Sequence, residues 1–134
     1  MARLRGPDFI SLQVRDLAAS RAFYSETLGL TVDSRFDTPA AVVFDTNSIP
    51  FALSQASVNL ADVAQPGVGV TLWLDCDDVD ALHATLVKAD ITIIKPPFDG
   101  PFGRTFIFVD PDGYRLTVNE NQWDRFPLGG LSHG

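Results

Sequence analysis

Apolar and polar positions alternate from Phe9 to Val14, and at Leu17 the alternation gives way to apolar positions at Leu17, Ala18, Ala22, Phe23 and Leu28. A period of two predicts a half-buried strand, and a period near 3.6 predicts an amphipathic helix over 17–28. Asp16 stands where an N-cap carboxylate accepts the free N–H groups of a first turn, and Gly29 stands where a chain leaves its helix with positive φ. Three short β-rich runs follow at 31–37, 41–45 and 51–55, divided by Thr-Pro and Thr-Asn-Ser-Ile-Pro turns. The polar, turn-rich stretch 56–67 reads as a linker, after which the order starts again. A strand is predicted over 68–75, a helix over 78–89, and strands over 91–94, 104–110 and 114–119.

A shift of 62 residues carries Asp16 onto Asp78, Leu17 onto Val79, Ala19 onto Ala81 and Ala22 onto Ala84. The chain 1–134 is therefore expected to be one α+β domain of two βαβββ repeats, about 8–55 and 68–120, with a C-terminal tail at 121–134. Helices of this length beside runs of short strands cover one face of a curled mixed sheet and leave the other face around a cleft. Asp110-Pro111-Asp112-Gly113 is a turn sequence joining the last two strands, with Pro preset for the second position and Gly free to take positive φ.

Composition narrows the partners. The chain has 134 residues, 46% of them hydrophobic, which is the size of one compact domain. No apolar run approaches the roughly 18 residues needed to cross a bilayer, and no apolar segment of the secretory kind follows the N-terminus. A cytoplasmic, unprocessed protein without a membrane partner is expected. The lone Cys76 rules out an internal disulfide and a cysteine-rich zinc site. Seventeen acidic against ten basic residues give a net charge of −7, and the basic residues are scattered, so nucleic acid is not an expected partner. The acid surplus serves solubility first and, after that, suits a cationic ligand.

Gln13-Val14-Arg15-Asp16-Leu17, then Phe23-Tyr24 and Leu28-Gly29-Leu30, then Gly103-Arg104 ahead of Asp110-Pro111-Asp112-Gly113-Tyr114, together resemble the vicinal oxygen chelate superfamily, which includes glyoxalase I, bleomycin-resistance proteins and extradiol dioxygenases. The resemblance runs from about Asp8 to Glu120. It implies the paired βαβββ fold and, in most members, a divalent metal held by His or Glu side chains and acting as a Lewis acid. The positions that the resemblance assigns to ligands carry Phe9, Thr71 and Thr117 here, with a fourth among Phe51, Ala52, Leu53 and Ser54. None is a good ligand, so neither a metal nor another cofactor is expected.

His83 falls mid-helix and reads as solvated, and His133 lies in a Gly-rich tail. Asp75, Asp77, Asp78 and Asp80 sit at a helix N-terminus, where the macrodipole favours carboxylates, and they lack the spacing of a calcium loop. Cys76 beside them reads as structural, its thiol pKa raised by the surrounding negative charge.

Strand alternation places Phe9, Ser11 and Gln13 on the cleft side of the first strand. Thr71 and Trp73 follow by the repeat, and Arg115, Thr117 and Asn119 come from the last strand. Phe98 and Phe102, in the loop Lys95–Arg104, are placed to close the cleft mouth. An aromatic, neutral-polar lining with one cation suits a small planar organic molecule, aromatic or cationic, held by stacking and sparse hydrogen bonds. The plainer reading is that Phe9 and Trp73 only fill a concavity or a dimer contact. Trp123 and Phe126 are read as docking residues.

The expectation is a metal-free binding or sequestration protein of the bleomycin-resistance kind, acting as a homodimer with no catalytic residue. Two alternatives are enzymes of the same superfamily: a metal-free isomerase or hydrolase with Glu120 or Asp45 as base, and a metal-dependent enzyme with displaced ligands.

Overall fold

A computed structural model describes residues 2–120. The expectations placed on Trp123, Phe126 and His133 lie outside the described residues. The chain divides into two compact units, Met1–Ala64 and Gln65–Gly134.

The first unit carries β1 (Ile10–Val14), α1 (Leu17–Ala22), β2 (Ala41–Phe44) and β3 (Phe51–Gln55). Its sheet runs in the order β1-β3-β2, with β3 parallel to β1 and antiparallel to β2. Asp16 caps α1 through its carboxylate, which accepts the Ala19 N–H at 3.0 Å. Beyond Ala22 the helix widens into a π turn over Phe23–Thr27 and ends at Gly29, whose φ is +80°. The predicted helix over 17–28 is thus helical throughout but α only in its first half. One sheet face is apolar, and Val14, Tyr24, Phe44 and Leu53 are fully buried. The Tyr24 ring lies 5.4 Å from Phe51 and 6.0 Å from Phe44.

The second unit repeats the plan with β4 (Leu72–Asp75), α2 (Val79–Lys88), β5 (Ile93–Gly100), β6 (Gly103–Val109) and β7 (Arg115–Asn119), in the order β4-β7-β6-β5. In the first unit an isolated bridge between Val32 and Phe44 stands where β5 stands in the second. Asp78 caps α2 by accepting the Ala81 N–H at 3.0 Å, and Glu120 Oε1 accepts the Val79 N–H at 2.8 Å. Val79, Leu86, Phe106, Phe108, Leu116 and Val118 form the core. The turn before β7 is tied by the Asp110 carboxylate, which accepts the N–H groups of Asp112 and Tyr114, both at 2.9 Å, while Gly113 takes φ +96°.

Several predicted elements are corrected. The strand over 31–37 is absent, because the Asp33 carboxylate accepts the Arg35 backbone N–H and closes a 3-10 turn over Ser34–Phe36, leaving only Val32 bridged to the sheet. A short polar side chain has outcompeted the ladder there. The strand over 68–75 starts only at Leu72, since Gly67 and Gly69 take φ +73° and +90° and turn the backbone ahead of it. The loop over 95–104 is in fact a hairpin. β5 runs on to Gly100, and Pro96 and Pro97 fall between Lys95 and Phe98, where the register slips and β5 is an edge strand needing fewer N–H donors. His83 is not solvated but half-buried, its ring 5.5 Å from that of buried Phe106 in an edge contact.

Candidate functional site

In the second unit, register decides which side chains share a face. Trp73 pairs with Thr117, Asp75 with Asn119, Ile107 with Thr117, and Thr105 with Asn119, so all these side chains stand opposite the apolar core face. Arg115 and Thr117 are two residues apart in β7 and share that side, while Leu116 and Val118 between and beyond them are buried in the core. Phe98 joins the same side through its pairing with Thr105. Trp73 and Phe102 form an edge-to-face pair, with centroids 5.7 Å apart at 80°. They are 49% and 36% exposed, so both rings still present area to a ligand.

A buried polar network holds this pair. Asn119 Nδ2 donates to the Phe102 carbonyl at 3.1 Å, and Thr105 Oγ1 lies 2.8 Å from Asn119 Oδ1 and 3.0 Å from the Gly103 carbonyl. Thr105 and Asn119 are 1% and 5% exposed. Asn119, expected as a lining residue, therefore uses both ends of its amide inside the protein and fixes the tip of the β5–β6 hairpin that carries Phe102. Sequence reasoning missed Thr105 altogether, since nothing local marks it and only its cross-strand partner gives it a role. Arg104 serves the same hairpin from outside, its guanidinium bridging Asp80 and Asp99, both at 3.2 Å. Lys95 Nζ sits 4.0 Å from the Phe98 ring centroid.

The first unit places its own candidates as follows. Ser11 and Gln13 stand opposite the core residues Leu12 and Val14, and their partners Ala52 and Ser54 share that side. Phe9 is exposed and precedes β1 rather than belonging to it. Ser11 Oγ meets Ser54 Oγ at 3.4 Å. Gln13 Oε1 accepts from the Ser57 N–H at 2.9 Å and the Ser57 hydroxyl at 3.2 Å, so Gln13 ties down the chain that leaves β3. On its helix side this unit also holds a groove of about 590 Å³ between α1 and the segment Val32–Pro39, crossed by the Arg21–Asp37 ion pair at 3.0 Å. No pattern in the sequence pointed to it.

The donor chemistry does not fit a divalent metal. Phe9, Thr71 and Thr117 offer neither imidazole nor carboxylate, and neither do Ala52 and Ser54. Among the described residues no group of three or more His, Cys, Asp or Glu side chains could hold an ion. Glu120 faces the α2 N-terminus through the Val79 N–H, and Asp45 is exposed at the end of β2. The Cys76 thiol is pushed up chiefly by burial, with Asp77, Glu120 and Asp75 adding to the rise, so desolvation outweighs the acidic surroundings. Among the described residues no helix is long and apolar enough to cross a membrane.

Residues 6–118 match the family model of the Glyoxalase/Bleomycin resistance protein/Dioxygenase superfamily. The chain is 27% identical over 116 residues to glutathione transferase FosA of Serratia marcescens, covering 87% of this chain and 81% of that protein. A member of the superfamily from Sphaerobacter thermophilus is 27% identical with a TM-score of 0.65, over 86% of this chain and 96% of that one. The bleomycin-binding protein of Streptomyces verticillus, solved with copper(II)-bleomycin, shares the fold with a TM-score of 0.64 at 23% identity, over 91% and 100% of the two chains.

Proposed function

This chain belongs to the glyoxalase/bleomycin resistance protein/dioxygenase superfamily, and from that premise we propose that it binds a small planar organic molecule without a bound metal ion. The observation that carries the reading is the exposed Trp73–Phe102 pair, held by a buried Asn119–Thr105 network beside Thr117. Two rings kept accessible on a rigid strand and a pinned hairpin tip offer a preorganised stacking surface, which lowers the entropy lost on binding. The superfamily's bleomycin-binding member, similar in fold, supports a holding role over a chemical one. The same reading makes the protein a homodimer, because exposed Val68, Val70 and Ile94 gain from burial against a second copy.

Calorimetric titration with 2-naphthamide, a neutral planar probe, tests the reading. Saturable binding lost in Trp73→Ala supports it, and no saturable binding at millimolar probe sinks it. Stoichiometric zinc, nickel, iron, manganese or copper by elemental analysis overturns the metal-free part. A monomer by light scattering at micromolar concentration overturns the dimer.

A second reading, a transferase, is favoured by the similarity to glutathione transferase FosA. It predicts glutathione consumption with an electrophile such as 1-chloro-2,4-dinitrobenzene. The metal-free isomerase or hydrolase has less behind it, since the Glu120 carboxylate that would serve as base is occupied by the Val79 N–H.

A further inference from the structure

The second unit's exposed face carries a charge whose sign is opposite to that of the whole chain. Arg21, Arg35 and Arg104 each pair with an aspartate. Arg115 is exposed and has no ion pair with a described residue, although carboxylates outnumber cations across the sequence. Its place in the register is specific. Trp73 pairs with Thr117, and Arg115 is two residues before Thr117 on the same side of β7, so the guanidinium and the indole are diagonal neighbours across β4 and β7. Diagonal neighbours on a sheet stand roughly 7–8 Å apart at their backbones, within reach of an arginine and an aromatic side chain.

The other charges on this face are placed elsewhere. Asp75 pairs with Asn119 at the far end of the strands, next to the hairpin tip that carries Phe102. Lys95 lies over the Phe98 ring on β5, the opposite edge of the sheet from β4. A planar ring seated over Thr117 against Trp73 thus meets Phe102 from the Asn119 end and Arg115 from the other.

Building on the reading that this face binds a planar ring, we infer that the ligand is an aromatic anion, its ring on the Trp73–Phe102 pair and its carboxylate, sulfonate or phosphate group on the Arg115 guanidinium. Arginine suits such a group because its planar fork donates two parallel hydrogen bonds to one oxyanion. The net charge of −7 makes the inference sharp, since the average field of this protein repels anions and attracts cations. A preference for the anion therefore has to come from a local cation.

Three probes sharing one ring separate the possibilities by calorimetry with the full chain at low ionic strength: 2-naphthamide, 2-naphthoate and 2-naphthylmethylammonium. The expected result is that naphthoate binds about three- to five-fold more tightly than naphthamide, the size of effect an exposed charge pair supplies. Arg115→Gln removes that advantage, and Arg115→Glu turns it into a preference for the ammonium probe. The advantage shrinks at high salt. Binding of naphthamide by the unmodified protein with no gain for naphthoate, or a gain that survives Arg115→Gln, overturns the inference while leaving the ring-binding reading in place. Failure of all three probes to bind removes the reading itself. Arg115 is exposed, so its variants retain the fold, and an unchanged tryptophan emission spectrum checks this.

Discussion

Replacing Thr105 with valine exchanges one oxygen for a methyl group in a side chain that is 1% exposed, keeping its shape. The lost hydroxyl is 2.8 Å from Asn119 Oδ1 and 3.0 Å from the Gly103 carbonyl, and among the described residues no buried side-chain nitrogen or oxygen lacks a partner. Valine leaves Asn119 Oδ1 buried beside a methyl group, out of reach of water. An orphaned buried acceptor costs about 1–3 kcal/mol, and the cheaper burial of a methyl offsets only part of it, so a loss of about 2 kcal/mol is expected. With a urea slope of about 1–3 kcal/mol per molar for a domain of this size, the unfolding midpoint falls by about 1 M at unchanged slope.

The double variant Thr105→Val/Asn119→Leu removes both partners and recovers about 1 kcal/mol relative to the sum of the single changes. The ring pair reports the same event locally, because Asn119 also holds the Phe102 carbonyl, and Trp73 emission should shift in Asn119→Leu. A Thr105→Val protein within about 0.5 kcal/mol of the parent, the usual scatter of neutral substitutions, would refute the argument that this network is satisfied through the hydroxyl.

Three other outcomes are expected. Asp78→Ala removes the carboxylate that accepts the Ala81 N–H and lowers stability by about 1 kcal/mol in urea unfolding, with α2 retained because Glu120 still caps Val79; an unchanged midpoint contradicts this. The Arg35 guanidinium holds the Asp33 carboxyl below its ordinary value of 3.8. Folding thereby favours the ionised form, a contribution present above that value and lost as pH falls through the folded one, and a carbon-detected titration should find Asp33 restored toward 3.8 in Arg35→Gln. Cys76, its thiol pushed up mainly by burial, should react with iodoacetamide at pH 8 more slowly than free glutathione, and equal rates would show the thiol to be unshielded.

Much of the architecture is written in residues a few positions apart. Asp16 and Asp78 cap helices whose N–H groups lie three residues on, Gly29 and Gly113 take the positive φ that ends a helix and closes a turn, and the recurrence of Asp16 at Asp78 marks two units. The residue types at 9, 71 and 117 likewise state, without coordinates, that these positions offer a metal nothing to bind. Such signals are legible because the energy they report is local.

What tertiary structure decided depends on partners remote in sequence. The 31–37 run has strand-like composition, yet only Val32 finds a partner in the sheet, in Phe44 twelve residues on, and the chain beyond it turns. The 95–104 run has loop-like prolines, yet pairing with β6 makes it a strand. Thr105, Asn119 and the Phe102 carbonyl share no periodicity, and their meeting follows from the β6–β7 register and the hairpin that brings residue 102 back beside residue 119. Register is set by the sum of packing over two whole strands, so a single residue's partner cannot be read from its neighbours in the chain.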